Sequence, residues 1–144
     1  MRRGVRELKS ILDCLELTLF LKTSGGKGYH VVVPLKPSAG WQAFRNFARD
    51  KALLMEQKWP DRYVSSVRKN KIFIDWIRNV RDSTSVAPYS LLARMGAHVS
   101  MPISWRELDR VAPDGINMDD AVERLKQKDP WENFFNLDQK LITN

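Results

Sequence analysis

The sequence predicts an α/β fold in which a mixed or mainly antiparallel sheet is flanked by helices. Two observations carry this expectation. Amphipathic helical stripes alternate with short apolar, β-prone runs. The first two of those runs are joined by a glycine-rich turn rather than by a crossover helix, which favours hairpins over a Rossmann-type unit. A length of 144 residues suits one domain, expected over residues 1–144.

The elements follow in order. Val5, Leu8, Leu12 and Leu15 recur at three- and four-residue steps, with Arg6, Glu7, Lys9 and Asp13 on the other face, which predicts an opening helix. Residues 17–22 (LTLFLK) read as a strand, and Gly25, Gly26 and Gly28 force a turn. Residues 29–35 (YHVVVPL) read as a second strand. Its valine run suits a sheet interior covered on both faces, and Pro34 marks its end. Trp41, Phe44, Ala48, Ala52, Met55 and Trp59 line one stripe of a long helix that Pro60 stops. A basic run at 68–71 leads into residues 72–77 (IFIDWI), which read as a buried strand. Residues 83–89 are expected to form a further strand, and 99–103 an edge strand containing Pro102. Ser104 and Glu107 have the spacing of a capping box. Residues 119–128 read as a last helix with Ala121, Val122 and Leu125 inward and Asp119–Asp120 in its first turn.

Composition narrows the function classes. Apolar residues make up 43% and charged residues 28%, which excludes a disordered or fibrous chain. One cysteine excludes an internal disulfide framework, and two histidines beside it exclude a Cys/His zinc site. No apolar run approaches the ~18 residues of a membrane span, so no membrane partner and a cytoplasmic location are expected. Twenty-four Lys and Arg against seventeen Asp and Glu give +7, a balance that favours polyanionic partners without singling out nucleic acid.

Two places carry chemistry. In residues 23–30 (TSGGKGYH) glycines let the backbone approach a phosphate and aim its N–H groups inward; Ser24 adds a hydroxyl, Lys27 a point charge and His30 a donor. The segment is not a Walker A loop, because Leu21 stands where its first glycine belongs and Gly28 follows Lys27. An ordinary glycine-rich hairpin fits the same pattern. The second place is Asp75, flanked by Phe73, Ile74, Trp76 and Ile77. A carboxylate buried there requires a cation, either Arg78 or Lys27 in a structural role or Mg²⁺ in a catalytic one.

At these motifs the chain resembles the polymerase domain of bacterial ATP-dependent DNA ligase D, in the archaeo-eukaryotic primase superfamily. The matching text runs in order: LFLKTSGGKGYHVVVPL, KIFIDWIRNVRDSTSVAPYSLLAR, GAHVSMPISWREL and AVERLKQKDPW. It resembles the later, C-terminal half of that domain, so the fold implied is primase-like and truncated on its N-terminal side. The resemblance implies a DNA-repair nucleotidyltransferase of bacterial non-homologous end joining, nucleoid-associated, with end-joining proteins and DNA as partners. Ser24, Lys27 and His30 match residues that hold the incoming nucleoside triphosphate, and Arg94 matches an arginine of the same site. Asp75 matches the third metal-binding aspartate, the catalytic carboxylate for Mg²⁺ or Mn²⁺.

The sequence departs from the family pattern in two respects. No Asp-x-Asp pair precedes Lys22, where Asp13 is the only aspartate, and Leu92 stands where the first arginine of an Arg-x-Arg pair is expected. Nucleotidyl transfer depends on positioning and on metal ions that neutralise phosphate charge. The chain alone is therefore expected to be catalytically incomplete. The alternatives are a non-catalytic nucleotide- or DNA-binding module, one part of a split polymerase, or a structural fragment stable as a homo-oligomer. The DNA contact expected from Arg62, Arg68, Lys69 and Lys71 is weak and dominated by the phosphate backbone.

Overall fold

The computed structural model describes residues 1–67, 70–93 and 95–141. Helix α1 (Arg2–Asp13) is followed by β1 (Phe20–Thr23), β2 (Tyr29–Val32) and the long helix α2 (Trp41–Lys58). Short strands come next: β3 (Tyr63–Val64), β4 (Ile72–Phe73), β5 (Ser90–Leu91), β6 (Val99–Ser100) and β7 (Pro102–Ile103). Helix α3 (Met118–Arg124) and two 3-10 turns, Trp105–Glu107 and Phe134–Asn136, complete the described elements.

The strands form small sheets rather than one continuous sheet. β1 is central in an antiparallel sheet of order β2-β1-β7, β3 pairs with β4 in parallel, and β5 pairs with β6 antiparallel. The predicted hairpin is present, with Lys22 opposite His30 and Leu21 opposite Val31. The core lies between this sheet and α1: Leu21, Met101, Ile103, Leu108 and Ile116 pack with Val5. On the other side Phe20 meets Trp131 and Phe134, whose rings stack with centroids 5.1 Å apart. Trp131 Nε1 donates to Leu21 O at 3.0 Å, which ties the C-terminal segment to the central strand.

Several expectations are corrected. β2 is an edge strand and half-buried; the strand covered on both faces is β1, buried throughout. The expected strand at 72–77 ends at Phe73, and Asp75 beyond it is exposed. Ile72 and Ile74 donate to Arg62 O and Val64 O, and after Ile74 the chain turns, so the apolar run does not extend the ladder. Residues 83–89 form no strand; the pairing there is Ser90–Leu91 against β6. The expected edge strand at 99–103 divides at Met101 between two sheets. Pro102 occupies the outer strand β7, where its missing N–H removes no ladder bond. α3 is shorter than expected, and Val122 and Leu125 face outward, 51% and 64% exposed.

Local chemistry explains the boundaries. Trp59 caps α2 immediately before Pro60. Ser104 N donates to Glu107 Oε2 at 2.7 Å, the expected capping contact, although it opens a 3-10 turn rather than an α-helix. Asn117 and Asp120 exchange backbone-to-side-chain hydrogen bonds at the start of α3 (2.9 and 3.3 Å).

Candidate nucleotide site

The site begins with the alternation of β1, which places Leu21 and Thr23 on one face and Phe20 and Lys22 on the other. Thr23 is buried, with Oγ1 donating to Val99 O (3.1 Å) and accepting from Met101 N (2.9 Å). That pair of bonds fixes the strand end from which the glycine turn departs. Ser24 N donates to Gly28 O at 2.9 Å, and Ser24 Oγ accepts from Gly26 N and Gly28 N at 3.0 and 3.1 Å. Gly25 N donates to Pro113 O at 2.9 Å, and its φ of +78° is a conformation that glycine adopts freely.

These bonds correct one expectation. The amides of Ser24, Gly25, Gly26 and Gly28 are spent within the turn and its support, not aimed at a ligand. What the turn presents is side chain: the hydroxyl proton of Ser24, the exposed ammonium of Lys27 and the half-buried imidazole of His30. Lys27 has no hydrogen-bond or ion-pair partner among the described residues.

His30 is held below its ordinary proton affinity, first by burial and then by the charges of Lys22 and Arg78, with Asp75 opposing. These four residues therefore share one electrostatic neighbourhood, two cations and one carboxylate around an imidazole. Asp75 reaches it as an exposed residue whose Oδ1 accepts from Ile77 N at 3.2 Å. The expectation of a buried carboxylate held by Arg78 or Lys27 is overturned: neither pairs with it, because the strand stops before it enters the interior.

Lys22 is the residue that sequence reasoning missed. Its side chain is 3% exposed, and Nζ donates to Val86 O at 2.7 Å and to Ser100 Oγ at 2.5 Å. No carboxylate pairs with it among the described residues. The available signal was a lysine inside an otherwise apolar strand, a place where lysine is seldom found.

A groove of about 510 Å³ opens beside β2, walled by Leu12, Val31, Phe44, Ile74 and Trp76, with Asp75 among its lining. Leu92 packs over Gly25, so closely that a Cβ there would stand 2.7 Å from its Cδ1. Arg94 lies outside the described residues, as do Arg68 and Lys69. Of the remaining basic candidates, Arg62 pairs with Glu7 at 2.8 Å and lies over the Trp59 and Tyr63 rings. Lys71 Nζ donates to Pro60 O at 2.8 Å.

The donor set does not by itself fit a two-ion metal centre. Among the described residues no three His, Cys, Asp or Glu side chains converge, and one exposed carboxylate beside an imidazole leaves most of a divalent ion's oxygen ligands unsupplied.

Both the sequence and the fold have known relatives. The family model described as LigD, primase-polymerase domain, matches residues 1–131. The chain is 37% identical over 142 residues to the multifunctional non-homologous end joining protein LigD of Pseudomonas aeruginosa, covering 92% of this chain and 17% of that protein. It is 33% identical over 124 residues to the multifunctional non-homologous end joining DNA repair protein LigD of Mycobacterium tuberculosis, covering 83% of this chain and 16% of that one. The solved polymerase domain of Mycobacterium tuberculosis ligase D in complex with DNA superposes with a TM-score of 0.83 at 29% identity, over 92% of this chain and 48% of that one. The chain thus spans about a sixth of these relatives and about half of the solved domain.

Proposed function

The chain belongs to the LigD primase-polymerase domain family, and from that premise we propose that residues 1–144 are the C-terminal, nucleotide-holding half of a polymerase domain acting in bacterial non-homologous end joining. The observation that carries the reading is the β1–β2 hairpin, whose turn and second strand carry Ser24, Lys27 and His30. Lys27 meets the phosphates as a point charge, and the Ser24 hydroxyl donates from a position fixed by Gly26 and Gly28. His30, neutral at pH 7, donates through one ring nitrogen and accepts through the other. Arg94 and Asp75 complete the proposed set, Asp75 as the one carboxylate these residues supply toward Mg²⁺ or Mn²⁺. A metal, when bound, neutralises charge on the reacting phosphate. The residues described here position the triphosphate and contribute one ligand toward it. The open edge of β2 and the apolar groove beside it suit further polypeptide of the same fold, from the same or another chain, or a second copy.

DNA is the proposed polymeric partner, on the strength of the +7 charge and of the DNA-bound relative. Duplex affinity should fall steeply with salt, with a log–log slope near −2.7 if about three phosphates are neutralised.

The absence of a converging donor set among the described residues favours a second reading, a nucleotide- or DNA-binding module without transfer activity of its own. Primer extension with Mg²⁺ or Mn²⁺, run beside ATP titration, separates the two. Binding that weakens in Lys27→Ala, without extension, supports the nucleotide site and the second reading. Extension that disappears in Asp75→Ala supports autonomous transfer. No ATP binding at all would overturn the nucleotide site.

A further inference from the structure

We propose that Lys22 is a positioning residue of the nucleotide site, a buried cation that fastens the floor beneath the glycine turn and keeps a fixed positive charge behind His30. The inference rests on the nucleotide reading of the turn.

The geometry has two parts. The first is mechanical. Lys22 Nζ grips Val86 O (2.7 Å) and Ser100 Oγ (2.5 Å), while Ser100 Oγ donates onward to Thr23 O (2.8 Å). Three segments distant in sequence, residues 22–23, residue 86 and residue 100, are thereby joined at the strand end that immediately precedes Ser24. Ser100 O in turn accepts from Tyr89 N at 2.7 Å, so the same knot anchors the chain that enters β5.

The second part is electrostatic. Burying an ammonium without a carboxylate is unfavourable, and its two acceptors here are neutral. Burial lowers the Lys22 pKa to about 8, which still leaves the group charged at pH 7. A charge kept at such a cost, opposite His30 in the strand register and close enough to lower that imidazole's proton affinity, is well placed to meet an anion arriving at the turn. The titratable group facing it is His30 across the strand pair, which is itself within reach of the charges of Asp75 and Arg78. From the other packed elements come Val86, Ser100 and Pro102, none of which titrates.

The experiment titrates ATP and, separately, inorganic tripolyphosphate against the full chain between pH 6.5 and 9.5. Wild type is compared with Lys22→Met, Lys22→Arg and Ser100→Ala, each checked for folding by circular dichroism. Lys22→Met is expected to bind about tenfold more weakly at pH 7, the order expected for unit charges roughly 10 Å apart at an effective dielectric of about 20. Wild-type affinity should fall as pH rises through about 8. That limb should vanish in Lys22→Met, stay absent with tight binding in Lys22→Arg, and persist in Ser100→Ala. A folded Lys22→Met with wild-type affinity and pH profile overturns the inference alone. So does a Ser100→Ala variant that loses the limb as fully as Lys22→Met, since the role would then be purely structural. Failure of wild type to bind either probe overturns both this inference and the nucleotide reading.

Discussion

Lys22 and His30 stand opposite each other in the β1–β2 register, and the charge of the first helps hold down the proton affinity of the second. The sign of the stability effect follows. His30 has a lowered affinity in the folded state, so the unfolded chain binds the extra proton first as pH falls. The contribution is complete above the ordinary histidine value of 6.5 and is lost on acidification below it. Thermal midpoints of wild type and His30→Gln between pH 5 and 7.5 should diverge accordingly, wild type losing more on acidification. Parallel curves would place His30 in free exchange with solvent.

The Lys22→Met variant has an opposite bookkeeping. Its loss of an uncompensated buried charge is favourable, while Val86 O and Ser100 Oγ lose a donor, each at about 1–3 kcal/mol. The two effects nearly cancel, and denaturant unfolding at pH 7 should find the variant within about 1 kcal/mol of wild type. Between about 8 and 10.5 the unfolded chain holds a proton that folded Lys22 has released, so wild type gains stability relative to the variant as pH rises through that window. A residue whose removal costs the fold little but the anion affinity much is one retained for the site.

Two glycines of the turn should respond differently to the same change. Gly25→Ala places a Cβ 2.7 Å from Leu92 Cδ1 at a φ of +78°, whereas a Cβ at Gly28 meets nothing within 4 Å. Gly25→Ala is expected to cost about 1–3 kcal/mol and Gly28→Ala less than about 0.5 kcal/mol, by denaturant unfolding. Equal costs would mean that Leu92 yields freely.

Legibility in the sequence followed the range of the forces involved. The hairpin, both long helices and the Ser104–Glu107 contact were readable, because local periodicity and capping decide them. The strand at 72–77 was misread, since an apolar run does not say where pairing ends. Asp75 therefore lay exposed where burial was expected. Val122 and Leu125 follow the helical period yet face outward, which only tertiary packing determines. The glycine turn that carries Ser24, Lys27 and His30 was legible as part of the hairpin. Lys22 escaped notice because its partners, Val86 and Ser100, are 64 and 78 residues away.

Glu107 offers a test of the scaffold independent of any ligand. Its carboxylate accepts from Ser104 N at 2.7 Å and pairs with Arg124 at 2.8 Å, so it links the turn after β7 to the last turn of α3. Burial pushes its carboxyl up, but hydrogen bonds from Arg124 and Ser104, together with the charge of Arg124, outweigh burial and hold it below the ordinary 4.5. A depressed carboxyl contributes stability that is fully present above its unfolded value and lost as pH falls through the folded one. Wild type should therefore lose stability below about pH 4.5 through this residue, and Glu107→Gln should lack that part of the acid limb. At pH 7 the glutamine variant should be less stable by about 1–3 kcal/mol, since the Arg124 guanidinium, with Nε already unpartnered, loses its counter-charge. Glu107→Gln with an unchanged acid limb would show that the Ser104 and Arg124 contacts carry no net stabilisation.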